Sequence, residues 1–124
     1  VVTRKKPTRK DFDELMFAWK CVKVVKSNAI VITKGKRTLG IGAGQMSRVG
    51  AMEIACRQAG KKAKGAFCAS DAFFPMPDNI AVAAKYGIRS IVQPGGSIRD
   101  EKVIAAADKK KISMVCTGTR HFKH

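Results

Sequence analysis

The apolar residues near the start of the chain recur at helical spacing. Between position 11 and about position 25 they stand three or four residues apart, at Phe12, Leu15, Met16, Trp19 and Val22. This spacing predicts an amphipathic helix with one apolar face. Thr8 and Asp11 are both candidates for its N-cap.

Two short β-rich runs follow this helix, at residues 28–33 and 38–43, with Lys-Gly-Lys-Arg between them. Such a pair of runs around a glycine-containing connection predicts a hairpin. Ser47 is then suited to cap a further helix that runs to Ala59. Gly60, directly after it, predicts the end of that helix.

The remainder of the chain alternates between strand and helix patterns. Strands are predicted at residues 65–70, 88–93 and 112–116, with helices at residues 78–86 and 100–109 between them. Strands that alternate with helices of this length indicate right-handed crossovers and a parallel sheet. Together with the hairpin they predict one α/β domain: a mixed sheet of about five strands with helices on its faces.

Composition adds a strong basic charge to this picture. The 124 residues include 25 Lys plus Arg against 9 Asp plus Glu, a net charge of +16, which favours anionic partners. Residues 1–10 form a basic leader that we expect to be solvated. The basic runs of the chain contain no aromatic residues for stacking on bases. Charge alone therefore predicts attraction to phosphate but no reading of a nucleic-acid sequence.

Other function classes are disfavoured by what the sequence lacks. No apolar run approaches the roughly 20 residues of a membrane span, and no signal-peptide pattern opens the chain. The four cysteines form no C-x-x-C pair, and both histidines lie in the last four residues, so a zinc module is not expected. We therefore expect reduced thiols, a cytoplasmic protein, no membrane and no zinc.

Unusual residues follow each of the three predicted parallel strands. The segments are residues 71–78, 93–97 and 117–124, and they carry phenylalanines, prolines, glycines, an arginine and two histidines. Ligands of open α/β sheets bind at the carboxyl ends of the strands, where these segments should meet. The pattern predicts a site with aromatics to stack on a planar ring, glycines for close backbone approach and Arg120 for a phosphate.

Most of these residues also have a structural interpretation. Phe73 and Phe74 would fit in a core, and residues 94–97 would fit a turn before the next helix. The N–H groups at such a helix start would alternatively hold an anion. Arg48, one residue after Ser47, is either a surface charge or an anion ligand.

Two further patterns are equally open at this stage. Gly40, Gly42 and Gly44 stand before a helix, but they lack the G-x-G-x-x-G spacing of a dinucleotide-binding loop. His121 and His124 belong to a terminal tail, where histidines are usually solvated, yet they follow the last strand of the predicted site.

Five segments resemble one family. They are Lys-Ser-Asn-Ala-Ile-Val from Lys26, Gly-Ile-Gly-Ala-Gly-Gln-Met-Ser-Arg from Gly40, Ala-Ser-Asp-Ala-Phe-Phe-Pro from Ala69, Gln-Pro-Gly-Gly-Ser-Ile-Arg-Asp from Gln93 and Arg-His-Phe-Lys-His from Arg120. In this order and spacing the chain resembles the C-terminal part of the bifunctional AICAR formyltransferase/IMP cyclohydrolases, over essentially all its length.

The resemblance implies a fold and an activity. It implies a three-layer, cytidine-deaminase-like subdomain of the transformylase portion, without the cyclohydrolase domain or the upstream subdomain that holds the family's catalytic Lys-His pair. The implied reaction is formyl transfer from 10-formyltetrahydrofolate to the 5-amino group of AICAR, in de novo synthesis of the purine nucleotide IMP. The implied partners are AICAR, the folate, and a second copy or a complementing subdomain, because the family's sites lie at a dimer interface.

The resemblance also implies roles for particular residues. Asn28 and His124 are the catalytic candidates. Asn28 would bind the carboxamide and amine of the nucleotide, and Phe73 would pack on its imidazole ring. Arg120 would bind its 5′-phosphate, with Phe122 and His124 beside that phosphate. The folate side would be formed by Arg48, Pro75 and Asp78. A potassium ion would be held near Ser27 and Asp71. Met76-Pro77 replaces a Phe-Arg pair that relatives often have, which would reshape the folate pocket.

Two alternatives to the enzyme remain at this stage. One is a basic module of the same fold that binds RNA or another polyanion; the other is an assembly subunit without activity of its own. With the Lys-His pair missing, we expect the chain alone to catalyse no formyl transfer.

Overall fold

The computed structural model describes residues 1–75 and 77–118. Its elements in chain order are α1 (Arg9–Val22), β1 (Ile30–Lys34), β2 (Arg37–Gly42), α2 (Arg48–Ala59) with a 3₁₀ turn (Gly60–Ala63), β3 (Phe67–Ser70), α3 (Asp78–Tyr86), β4 (Ser90–Gln93), α4 (Asp100–Lys109) and β5 (Ser113–Cys116). Every element predicted from the sequence is present. The predicted bounds differ mainly at α1, which ends at Val22 instead of Val25, and at β1, β3 and β4, each of which starts two residues later than predicted. The later start of β1 leaves Ser27 and Asn28 in a loop.

Local signals at the helix ends account for this agreement. Thr8 accepts a hydrogen bond from the backbone of Asp11, whose side chain accepts one from the backbone of Thr8, so both cap candidates form a single capping box. Ser47 caps α2 by accepting from the backbone of Gly50. Gly87 ends α3 with a left-handed backbone, φ +81°.

The five strands form one mixed sheet in the order β2-β1-β3-β4-β5. β1 runs antiparallel to both β2 and β3, whereas β3, β4 and β5 are parallel. The mixed five-stranded sheet predicted from the sequence is therefore confirmed. In this register Ile30 lies opposite both Gly42 and Ser70, so the start of β1 lies beside the carboxyl ends of β2 and β3.

The core is divided between the two faces of the sheet. On one face α1 packs through Leu15, Ala18, Trp19 and Val22 against strand residues that include Val31 and Val92. On the other face α2, α3 and α4 cover Ile30, Ile32, Ile91 and Met114. Residues 30 to 32 thus alternate between the faces, as a strand in the middle layer requires. The result is the three-layer α/β arrangement.

Gly40 and Gly42 serve the packing of α2 on β2. A Cβ atom at Gly40 would lie 1.9 Å from the carbonyl oxygen of Ala55, and one at Gly42 would lie 2.0 Å from that of Ala51. The two glycines let the helix backbone approach the strand closely. They occur here because of helix–strand packing.

The basic leader keeps its Lys and Arg side chains exposed, as expected, but its backbone is docked on the sheet, which the sequence did not predict. The backbone of Val2 donates to the carbonyl of Met114, and Thr3, which is buried, accepts from the backbone of Met114. The backbone of Arg4 donates to the carboxylate of Asp108. These bonds hold the segment along β5, because an edge strand leaves N–H and C=O groups available for pairing.

The longest helix described is α1, with 14 residues. A bilayer crossing needs about 20 residues, so none of the helices in the described ranges is long and apolar enough to make one.

Candidate functional site

Five segments meet at one edge of the sheet. The loop before β1, the carboxyl end of β2 and the carboxyl end of β3 adjoin there, because β1 is antiparallel to both neighbours. The exit of β3 contacts that of β4, since Gln93 accepts a hydrogen bond from the backbone of Phe74 at 3.0 Å. The exit of β5 stays beside that of β4, with Thr117 donating to the carbonyl of Gln93 at 2.9 Å. The predicted convergence of the strand ends is confirmed.

A buried ion pair between Arg48 and Asp71 stands at the centre of this edge. Asp71 is fully buried and Arg48 is 7% exposed. One carboxylate oxygen of Asp71 accepts from Arg48 and from the backbone of Ala29, and the other accepts from the hydroxyl of Ser27 at 2.5 Å. Arg48 also donates to the carbonyl of Ala29 at 3.1 Å. Arg48 is therefore a buried structural cation, and the surface-charge interpretation is wrong.

Asn28 is held in place from both ends of its amide. Its oxygen accepts from Arg48 at 2.8 Å, and its Nδ2 donates to the carbonyl of Gln45 at 2.8 Å. The peptide bond that precedes it, after Ser27, is cis. An amide group carries two N–H donors and two acceptor lone pairs, so one of each remains after these bonds for a ligand.

A cleft of about 360 Å³ opens beside Asn28, lined by Asn28, Met46, Ser47, Arg48, Ala72, Phe73 and Pro75. Phe73 is half-buried and Pro75 is exposed at the rim, whereas Phe74 is fully buried in the core. The structure thus divides the two phenylalanines between the cleft and the core. The sequence prediction missed Met46, which is fully exposed, although its position just before the cap of α2 could have indicated it.

Asp78 and the glycine loop after β4 stand apart from this cleft. Asp78 is exposed at the start of α3, where it accepts from the backbone of Asn79. The backbone N–H groups of Gly96 and Ser97 both donate to the carboxylate of Asp100, at 2.8 and 3.1 Å. The turn interpretation of residues 94–97 is therefore correct, and a carboxylate of the chain itself occupies the place that an anion would take.

The surroundings of Ser27 and Asp71 do not fit a potassium ion. Potassium is a hard cation and needs several free oxygen ligands. Asp71 already has three donors on its two oxygens, and the guanidinium of Arg48 neutralises its charge. Within residues 1–75 and 77–118 no group of three or more His, Cys, Asp or Glu side chains is placed to hold a metal ion.

The cysteines near the site are poor nucleophiles. Burial, together with the charge of Glu53, raises the pKa of the Cys56 thiol to about 12. Burial also raises the pKa of the Cys68 thiol well above its ordinary value. Cys116, half-buried beside Gly95, has its pKa raised by burial and by Asp100. A thiolate is the reactive form of cysteine, so these groups offer no nucleophile at neutral pH.

The remaining candidate residues of the sequence prediction are Arg120, Phe122 and His124. They follow Gly118 and lie outside the described residues, as does Met76. Their roles stay predictions. Among the described residues the cleft is lined by no carboxylate and no imidazole, so this part of the site can recognise and orient a ligand but offers no general base.

The chain is similar to known proteins both in sequence and in structure. The family model described as AICARFT/IMPCHase bienzyme matches residues 1–58. Proteins named bifunctional purine biosynthesis protein PurH match all 124 residues, at 59% identity in Desulfitobacterium hafniense and 62% in Listeria monocytogenes. The chain spans 24% of the length of these curated relatives.

Among solved structures the chain is similar to RibD of Acinetobacter baumannii. Form 1 of that protein gives a TM-score of 0.59 at 21% identity, covering 85% of this chain and 33% of RibD. This likeness bears on the fold alone, and it confirms the cytidine-deaminase-like architecture. In sequence, the relatives of the chain are bifunctional purine biosynthesis proteins of the AICARFT/IMPCHase type, to about a quarter of whose length it corresponds.

Proposed function

We propose that the chain is the C-terminal transformylase portion of such a bienzyme, and that it takes part in formyl transfer from 10-formyltetrahydrofolate to AICAR. Similarity along the whole chain to the bifunctional proteins supports this proposal. The cytidine-deaminase-like fold supports the assignment to the transformylase portion, for which the sequence resemblance implies that fold.

The observation that carries the proposal is the cleft between the amide of Asn28 and the ring of Phe73. AICAR has a planar imidazole ring that carries a carboxamide and an amine. A half-buried phenylalanine offers a face on which such a ring can stack. The free N–H and lone pair of Asn28 complement a carboxamide, which itself both donates and accepts. Asn28 is the positioning group of this proposal.

The buried ion pair gives the cleft its rigidity. Arg48 donates to the oxygen of Asn28 and is itself held by Asp71, so the amide cannot turn without breaking its hydrogen bonds to Arg48 and to Gln45. A fixed amide orients the substrate before reaction, and orientation supplies much of the rate when the nucleophile is weak. The lone pair of the substrate amine is delocalised into the ring, so this nucleophile is weak.

The proton acceptor for the amine comes from outside the described cleft. By resemblance it is the Lys-His pair of an upstream subdomain, with His124 as a further candidate.

On the folate side, Pro75 at the rim of the cleft is the residue best placed to contact the folate. Arg48 supports that side indirectly, because its guanidinium is already bound by Asp71, Asn28 and Ala29. Asp78 is accessible and would reach the folate only beyond the rim. The active unit is a dimer or a complex with a complementing subdomain.

Nuclear magnetic resonance titration tests where and how selectively the nucleotide binds. With AICAR we expect shifts of the side-chain amide of Asn28 and of the backbone of Ala72 and Phe73, and weaker binding of AMP, which lacks the carboxamide. Phe73→Ala should weaken AICAR binding about fivefold or more, since an aromatic contact contributes ~1 kcal/mol. The control is Phe12→Ala, on the exposed side of α1. Equal binding of both nucleotides, unaffected by Phe73→Ala, would remove the cleft from the proposal.

A further inference from the structure

A second concave surface lies at the opposite edge of the sheet, where the parallel strands begin. It encloses about 630 Å³, more than the candidate cleft. Six of the residues that line it are cationic, namely Lys5, Lys64, Lys85, Arg89, Lys110 and Lys111, and none of its lining residues is acidic. We call this surface the basic groove.

The fold brings these cations together from separate parts of the chain. Lys85 lies at the end of α3, and Lys110 and Lys111 follow α4, because right-handed crossovers return each helix to the edge where the next strand starts. A cation at the end of a helix interacts favourably with the helix dipole, which explains each of these lysines individually. Lys64 follows the 3₁₀ turn, and Lys5 belongs to the leader docked on β5. The folded chain therefore brings together cations that belong to different basic segments of the sequence.

The lysines of the groove lack anionic partners within the described part of the chain. Arg89 is the exception, because it donates to both carboxylate oxygens of Asp11 at 3.0 and 3.1 Å. No carboxylate in residues 1–75 and 77–118 pairs with the ammonium groups of the five lysines, and Lys85 lies 5.9 Å from the ring centre of Tyr86. Five like charges around one concavity repel one another, and a bound polyanion would relieve that repulsion.

The shape and the floor of the groove narrow the ligand class. The buried Ile88 and Ile112 give it an apolar floor, and the half-buried Ala84 and the exposed Ala81 also line it. Its volume falls within the range of about 300–1,000 Å³ that is typical of small-molecule sites. Lysines act as point charges that accept phosphates in any orientation, without the planar fork of arginine. We propose that the basic groove binds a small organic polyphosphate, with several phosphates on the lysines and a flat or apolar group on the floor.

This assignment differs from the RNA-binding alternative raised by the charge of the chain. A single-stranded nucleic acid needs an extended basic track with aromatic platforms for its bases. No aromatic residue of the described part of the chain lines the groove, and Tyr86 lies in an adjoining cleft that shares Lys64 and Lys85 with it. A compact ligand therefore fits the groove better than a long one.

Isothermal titration with three probes tests the proposal: ATP, inorganic tripolyphosphate and a single-stranded RNA oligonucleotide, in metal-free buffer. We expect saturable binding of one ATP per chain, and weaker binding of tripolyphosphate, which lacks the group for the floor. The double variant Lys85→Gln/Lys110→Gln should weaken ATP binding about tenfold. Each exposed charged contact contributes part of the binding free energy that a tenfold change in affinity represents. The matched control, Lys20→Gln/Lys23→Gln, removes the same charge from exposed positions at the end of α1 and directly after it, and it should leave the affinity within about twofold.

Three results would overturn the proposal. The first is the absence of saturable ATP binding, and the second is an equal loss of affinity in both double variants. The third is RNA binding that strengthens with oligonucleotide length and depends on Lys85 and Lys110, with ATP no better than tripolyphosphate. The candidate cleft for AICAR lies at the other edge of the sheet. A negative result for the basic groove therefore leaves the proposed transformylase role unaffected.

Discussion

The guanidinium of Arg48 and the carboxylate of Asp71 form a buried ion pair that joins the start of α2 to the carboxyl end of β3. The same guanidinium orients Asn28, so one interaction holds together three of the segments around the candidate cleft. The two residues are 23 positions apart in sequence.

Removal of one partner of this pair should be strongly destabilising. Asp71→Asn keeps the shape of the side chain but leaves Arg48 buried without a counter-charge, which typically costs about 3–5 kcal/mol. Urea denaturation measures this loss, and Asp78→Asn, at an exposed position near the same edge, is the control. The double variant Arg48→Met/Asp71→Leu should lose less than the sum of the two single replacements. A purely additive result would mean that the two side chains act independently.

Gly42 should tolerate no side chain. In Gly42→Ala the new Cβ atom would meet the carbonyl oxygen of Ala51 at 2.0 Å, so α2 must move away from β2. Overpacking of this kind costs about 1–3 kcal/mol, and the displaced helix carries Arg48 with it. Thermal unfolding checks the prediction, with Thr38→Ala on the exposed part of the same strand as control. An unchanged melting temperature would show that the helix and strand are less closely packed than described.

The contribution of Asp11 to stability should disappear in acid. Burial works against its charged form, but hydrogen bonds from Arg89 and Thr8 outweigh burial, and the pKa of Asp11 is lowered from its ordinary 3.8. A carboxylate with a lowered pKa stabilises the folded state above 3.8, and this stabilisation is lost as the pH falls through the lowered value.

Asp11→Asn should accordingly reduce the free energy of unfolding by about 1 kcal/mol at pH 7, a small value because Arg89 is 42% exposed. The difference from the wild type should shrink below pH 3.8. Asp13→Asn, on the exposed side of the same helix, is the control. A difference that grows on acidification would contradict the ion pair.

The four thiols should differ in reactivity in the order of their burial. At pH 8, Cys56, with a pKa of about 12, and Cys68 should remain unmodified by iodoacetamide in the folded protein. Cys21 and Cys116, which are half-buried, should react slowly, and all four should react after unfolding in guanidinium chloride. Peptide mass spectrometry measures the labelling. Rapid modification of Cys56 in the native protein would contradict the packing of α2.

The order and type of the elements could be predicted because their signals are local. Thr8, Ser47 and Gly87 lie within a few residues of the helix ends that they determine, and alternation of strand and helix implies the parallel sheet. The edge where the site lies followed from the same topology.

Partnerships between distant residues could not be predicted in this way. Arg48 was open to two interpretations, a surface charge or an anion ligand, because its partner Asp71 is remote in sequence. The pairing of β1 with both β2 and β3 brings the two residues to the same edge. Residues 94–97 were open to two interpretations, a turn or an anion site, and Asp100 decides for the turn because it accepts from the N–H groups of both Gly96 and Ser97. The leader, five of whose ten residues are basic, docks on β5 through its backbone, a contact that its charges do not predict.

The proposed role in formyl transfer is tested most directly when the chain is placed in one of its bifunctional relatives. The Listeria monocytogenes protein matches this chain over all 124 residues, so the chain can replace the matching segment, and both activities of the AICARFT/IMPCHase type can be assayed on one polypeptide. We expect formyl transfer and cyclohydrolase activity in this chimera. Asn28→Ala/Phe73→Ala should lower formyl transfer at least about a hundredfold, the effect of losing two orienting contacts, and leave cyclohydrolase activity unchanged. Loss of cyclohydrolase activity with formyl transfer intact would contradict the account.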